Sequence, residues 1–130
     1  MEVSWIAVIV AGVSAFLLGG IWYGPLFGKK WQALVGLSDE QVKGANMAVV
    51  FGGSLVLSLI AAFVFAMFLG PAPGVQFATA AGFAAGLCWV AATFGINYLF
   101  AQRPLGLFLI DGGYATLQFT LYGLLIGLLG

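Results

Sequence analysis

Few side chains in this sequence can do chemistry, and they gather near the C-terminal end. Asp111, Tyr114, Gln118 and Tyr122 recur at spacings of three, four and four, so on a helix they fall within about 80° of one another. A carboxylate beside phenol and amide groups can carry a proton, bind a cation, or hydrogen-bond to another helix. In the preceding apolar run, Trp89 and Asn97 share a face with Gly82, Gly86 and Thr93, again within about 80° at the α-helical period. These six polar or aromatic residues form the candidate intramembrane site.

Other chemistry is excluded by the inventory. The chain has no histidine, which removes imidazole ligation of haem, histidine-based zinc sites and the Ser-His-Asp triad. The single Cys88 cannot form an intrachain disulfide or a CxxC redox pair, and it reads as a small buried apolar residue. No glycine-rich phosphate loop is present. Asp39 and Glu40 look like helix-start residues and Asp111 has no second carboxylate nearby in sequence, so no metal site is assigned. With no catalytic, cofactor-binding or metal residue in view, the sequence reads as that of a non-enzyme.

The composition says where such residues sit. Of 130 residues, 63% are hydrophobic and only 6% charged, against roughly 25% charged in soluble domains. A fold this small must cover its core with polar surface, and four basic plus four acidic residues cannot do so. A soluble enzyme and a disordered tail are excluded. So is a nucleic-acid binder, since the formal charge is zero.

A bilayer core needs about 20 apolar residues in a helix. Four windows meet this: about 3–23, 47–69, 76–100 and 107–129. The sequence therefore predicts a single all-α membrane domain over 1–130, with four transmembrane helices in a compact bundle. The lack of a basic segment before the first window, with Glu2 in its place, marks that window as a retained span rather than a cleaved signal. The long connection 24–46 contains Ser38-Asp39-Glu40-Gln41, a capping box, so a short interfacial helix is predicted to start there and run toward span two. The other connections are a Gly70–Gly74 turn rich in proline and a short segment around Arg103 and Pro104.

Lys29, Lys30, Lys43 and Arg103 all fall in the first and third connections, which share one side of a four-span protein. Basic residues mark the cytoplasmic side, so both chain ends are expected on the outer side. Trp5 and Trp22 lie about 26 Å apart along a helix, placing a ring at each interface. Lys29, Lys30 and Arg103 are possible headgroup contacts. Small-residue rows mark contact faces in lipid: Ala7, Ala11, Ala15 and Gly19 in span one, and Ser54, Ser58, Ala62, Ala66 and Gly70 in span two. Phe63 and Phe68 lie off the second row, toward lipid or a partner. Span four has both its polar stripe and a second row, Gly112, Thr116, Thr120, Gly123 and Gly127, and is predicted to be central.

Two readings of Asp111 stand open. In the first it caps a late-starting helix or pairs with Arg103 at the headgroups, and Asp111→Asn is silent; this reading ranks first. Alternatively it is an ionisable site inside the bundle. Asn97 and Gln118 read first as interhelical hydrogen-bonders.

The run Trp22-Tyr23-Gly24-Pro25-Leu26-Phe27-Gly28-Lys29-Lys30-Trp31, with Val35-Gly36-Leu37 and Asp111-Gly112-Gly113-Tyr114, resembles the small bacterial four-helix membrane family known as domain of unknown function 1761. The resemblance implies four spans and a bacterial inner-membrane location, and it transfers no catalytic residue. The physical reading of the first motif is a helix stop at Gly24-Pro25 with interfacial aromatics and cytoplasmic lysines. The leading functional expectation is a non-enzymatic membrane protein that packs into a homo-oligomer or larger complex. An oligomeric small-solute transporter or channel is second. Lipid or quinone binding between spans three and four, by Trp89, Asn97, Tyr114 and Gln118, is third.

Overall fold

The computed structural model describes residues 3–130. Met1 and Glu2, and with them the reading of Glu2 at the head of span one, lie outside the described residues. The described residues form helices joined by turns, and four of the helical segments are long and apolar enough to cross a membrane: Trp5–Leu26, Met47–Leu69, Val75–Phe100 and Leu105–Leu129.

Helix α1 (Trp5–Ile21) opens on Ser4, whose side chain accepts from the Ala7 amide. It does not stop at Gly24-Pro25 as the sequence suggests. Proline has no N–H for the carbonyl four residues back and its ring crowds that carbonyl. The chain widens instead into a π turn over Trp22–Leu26, closed by the Phe27 amide donating to the Trp22 carbonyl at 2.9 Å. The helix thus passes the proline.

A helix not anticipated from sequence follows, α2 (Gly28–Val35), ended by Gly36 at φ 87°. The left-handed geometry suits glycine, and the Leu37 amide returns to the Gln32 carbonyl. The capping box forms as read, Ser38 with Gln41, but its helix α3 (Asp39–Lys43) is only five residues long and stops at Gly44. It does not run on to span two. That span, α4 (Met47–Leu69), has its own cap at Asn46.

Span three is α5 (Val75–Ala85), a second π turn over Gly86–Ala91, and α6 (Ala92–Phe100). Span four is one continuous helix, α7 (Leu105–Leu129), starting directly after Pro104.

Helix α7 sits between α1 on one side and the α5–α6 span on the other, while α4 packs mainly on α1 and reaches α7 at few points. The α5–α7 approach is set by glycines. A Cβ on Gly82 would collide with the Phe119 carbonyl, and one on Gly123 with the Ala78 carbonyl. At Gly86 the same atom would lie 2.7 Å from the Ala115 carbonyl. Glycine at these positions lets the two backbones approach closely and gain dense van der Waals contact. The core around α1 is equally small: Ala7, Ala11 and Ala15 meet Ala62, Phe65 and Ala66 of α4 and Tyr122 and Ile126 of α7.

Several faces differ from the sequence reading. Ser54 is exposed although Ser58, Ala62 and Ala66 of the same row are buried, because the first half of α4 has little packed on it. Phe68 faces outward, whereas Phe63 is half-buried and stacks on Trp5. Cys88 is exposed rather than buried. Trp22, expected at the interface opposite Trp5, turns its indole inward to α7, as described below.

The glycine contacts generate a paired test. Gly123→Ala should lower stability by about 1–3 kcal/mol or more through overpacking. Gly20 of α1, with nothing within 4 Å of an added Cβ, should accept alanine with no loss and a gain of up to about 1 kcal/mol. Thermal melting of the purified protein in mild detergent measures both.

Candidate functional site

Asp111 lies in the second turn of α7 and is only 7% exposed. Its Oδ1 accepts from the Tyr23 hydroxyl at 2.6 Å, and its Oδ2 accepts from the Tyr98 hydroxyl. One carboxylate therefore joins three spans: Tyr23 comes from the π turn that continues α1, and Tyr98 from α6. The preceding residue adds a further tie, since the Trp22 indole donates to the Ile110 carbonyl at 2.9 Å.

The two glycines after the acid have a physical role. A Cβ at Gly113 would stand 3.2 Å from the Trp22 ring, and one at Gly112 3.3 Å from Ala91 and Phe108. Glycine at both positions lets span one and span three close on α7 on either side of Asp111. Aromatic edges complete the surround: Tyr23 meets Tyr114 at 5.5 Å and Trp31 at 5.7 Å between ring centroids.

This geometry overturns the preferred reading of Asp111. α7 begins six residues earlier, so Asp111 caps nothing. Arg103 instead points its guanidinium at the Val35 carbonyl, at 3.4 Å. Buried carboxylates need hydrogen-bond donors, and the tyrosines supply them.

Further along α7 the stripe makes a second set of ties. Tyr114 donates to the Ala15 carbonyl at 2.8 Å. The fully buried Tyr122 hydroxyl accepts from Gln118 at 2.7 Å and lies 2.8 Å from Ser58 Oγ and 3.0 Å from the Ser58 carbonyl. Ser58 in turn donates to the Gly12 carbonyl at 2.8 Å. Gln118, Tyr122, Ser58 and the Gly12 carbonyl form one connected set of hydrogen bonds. Gln118 thus bonds within its own helix rather than across to another, and Tyr122 with Ser58 carries the interhelical link. Thr116 and Thr120 bond back to carbonyls of α7 itself.

Trp89 and Asn97 are not brought to this site. Both are exposed, on the outer side of span three. The π turn over Gly86–Ala91 inserts one residue into the helical repeat, and an extra residue rotates everything after it by about 100°. Ala91 and Tyr98 move to the inner face and Asn97 moves off it. Trp89 and Asn97 therefore do not form one site with Tyr114 and Gln118, which removes the geometry assumed for lipid or quinone binding there. Sequence reasoning missed Tyr98 because it assumed an unbroken α-helical period, and it placed Tyr23 in an interfacial belt. Lys29, Lys30 and Arg103 lie at the surface, at the end of the molecule nearer Asp111.

Among the described residues, no buried side-chain nitrogen or oxygen lacks a partner. A water-sized cavity of about 20 Å³ lies at the other end, between Ser4, Ala66, Pro71 and Ile126, and touches none of these groups. The site as arranged holds helices together, and Asp111 supplies its carboxylate.

Asp111→Asn is therefore expected to cost stability rather than be silent. Leaving a buried hydrogen-bonding group of this cluster unpaired costs about 1–3 kcal/mol, and Tyr98→Phe should cost a similar amount. The double variant should fall short of the sum by about 0.5–3 kcal/mol; strict additivity would mean that the two side chains do not act as a pair. Gln118→Leu should cost about 0.5–1.5 kcal/mol, the net contribution of one neutral hydrogen bond, here to the Tyr122 hydroxyl.

Comparison with curated proteins and with solved structures finds no match. A family model described as protein of unknown function (DUF1761) matches residues 6–127, a range that includes Trp22, Tyr23, Tyr98 and the Asp111-Gly112-Gly113 motif. Because that match covers nearly the whole chain, the protein belongs to the DUF1761 family.

Proposed function

We propose that this chain is a four-span protein of the bacterial inner membrane that acts by packing against a partner chain, a second copy or a larger complex, and not by catalysis. Its basic connections face the cytoplasm and both ends of the given chain face out, in keeping with Lys29, Lys30, Lys43 and Arg103 all lying on one side. The observation that carries the reading is the division of polar and small groups. The inner ones are satisfied within the chain, while Gly52, Gly53 and Ser54 of α4 and Thr93 and Asn97 of α6 face outward. Gly52 and Gly53 have no atom within 4 Å of an added Cβ. Small residues permit close helix approach and an amide can bond across helices, and neither is of use against lipid tails.

A second reading, a proton-coupled solute transporter, is favoured by one feature, a carboxylate at membrane depth. Its complete satisfaction by Tyr23 and Tyr98 ranks it below the first.

The test is assembly in mild detergent, by light scattering and by co-purification. Wild type is expected to run as more than one chain or with a partner, and Gly53→Leu with Asn97→Leu to reduce it to a single chain of unchanged helicity. Wild type that runs alone at every concentration would overturn the proposal, and solute uptake abolished by Asp111→Asn would put the transporter first. Orientation is checked separately in a Cys88→Ala background. A reporter cysteine at the exposed Ala72 should react with impermeant reagent from outside intact cells, and one at Lys43 should not.

A further inference from the structure

The helix that the sequence concealed, α2 (Gly28–Val35), has two distinct sides. Its inner side carries half-buried Trp31, Gln32, Leu34 and Val35, and its outer side exposed Lys29, Lys30 and Ala33. The inner side is fastened at four points. Leu34 covers Gly106 at the start of α7, where an added Cβ would lie 3.1 Å from the leucine. Trp31 meets Tyr23 edge-on, Gln32 donates to Asp39 at 2.7 Å, and the Val35 carbonyl accepts from Arg103. So α2 lies across the end of α7 with its lysines turned away from the protein.

Nothing in α2 itself accounts for those lysines. Both stand in its first turn, where the helix dipole disfavours cations by about 0.3–1 kcal/mol each. The exposed acid nearest in sequence, Asp39, is engaged by Gln32. Arg103 is turned inward to α2, which leaves Lys29 and Lys30 as the outward charges of this helix. The lysines also stand at the level where the apolar span Trp5–Leu26 ends. Given the membrane reading above, on which this step rests, the anion found at that level is the phosphate of a phospholipid.

We propose that the outer face of α2 docks on anionic phospholipid headgroups, with Lys29 and Lys30 each facing a phosphate. Charge complementarity supplies the attraction, and the four fastenings hold the helix flat enough to present both ammonium groups at once. Lys43 on the separate α3 is outside the docking face.

The experiment titrates detergent-solubilised protein with short-chain phosphatidylglycerol, short-chain phosphatidylcholine and inorganic phosphate, reading thermal stabilisation. Phosphatidylglycerol is expected to stabilise wild type, phosphatidylcholine and free phosphate much less, and added salt to weaken the effect. In K29Q/K30Q the apparent affinity for phosphatidylglycerol should fall about 30-fold, from roughly the surface value of one headgroup charge per lysine, while K43Q stays near wild type. Circular dichroism confirms that the double variant is folded. Equal binding by wild type and K29Q/K30Q, an equal loss in K43Q, or a response to inorganic phosphate as strong as that to lipid would overturn the proposal. An alkaline wash of cell membranes separates the two levels. A chain that stays in the membrane but shows no lipid preference refutes the docking alone, and one released by the wash refutes the membrane reading as well.

Discussion

The structure depends on one constraint: α7 carries polar side chains along a helix that apolar surroundings cannot solvate. A polar group moved out of water without a partner costs several kcal/mol, so each of these must find another helix or its own backbone. Asp111 draws in Tyr23 and Tyr98, Tyr114 reaches the Ala15 carbonyl, and Tyr122 reaches Ser58. Three other spans are thereby tied to one. The central position of α7 follows from this demand, because a helix at the edge could satisfy one side only.

The small residues make the ties possible. A hydroxyl must come within hydrogen-bond distance of its partner, and that distance is shorter than ordinary helix separation allows with large side chains. Gly82, Gly86 and Gly123 bring span three and α7 into backbone contact, while the alanines of α1 pack closely toward α4 and α7. Gly112 and Gly113 then open room for neighbours on both sides of Asp111. Polar satisfaction and close packing are thus two aspects of the same arrangement, and a bulky residue at one of these positions would break hydrogen bonds some distance away.

The π turns adjust the same arrangement. The first lets α1 continue past Pro25, so that Tyr23 stays on a helical backbone facing α7. The second, at Gly86–Ala91, shifts the downstream register and selects Tyr98 over Asn97 for the interior. Wide turns of this kind recur at functional sites, and here both lie in spans that supply a hydroxyl to one carboxylate. What remains on the outside, Asn97, Thr93 and the glycines of α4, is the material available for contact with other molecules.

Much of this was legible in the residue order. The four apolar runs, the Ser38–Gln41 capping box, the alanine row of α1 and the shared face of Asp111, Tyr114, Gln118 and Tyr122 are local properties, set by composition and by a period of 3.6 residues within one segment. The family motif around Trp22 and the Asp111-Gly112-Gly113 sequence were visible in the same way. The partners of Asp111 were not. Tyr23 is 88 residues from Asp111, and the adjoining Trp22 packs over Gly113 of α7, contacts that no local pattern announces. The place of Asn97 was misread because a π turn costs a local hydrogen-bond register and is repaid by contacts on another helix, so no periodicity within span three announces it. Helix identity was decided along the chain; which side of each helix became the interior was decided between chain segments, where hydrogen-bond distances and glycine contacts determine which register fits.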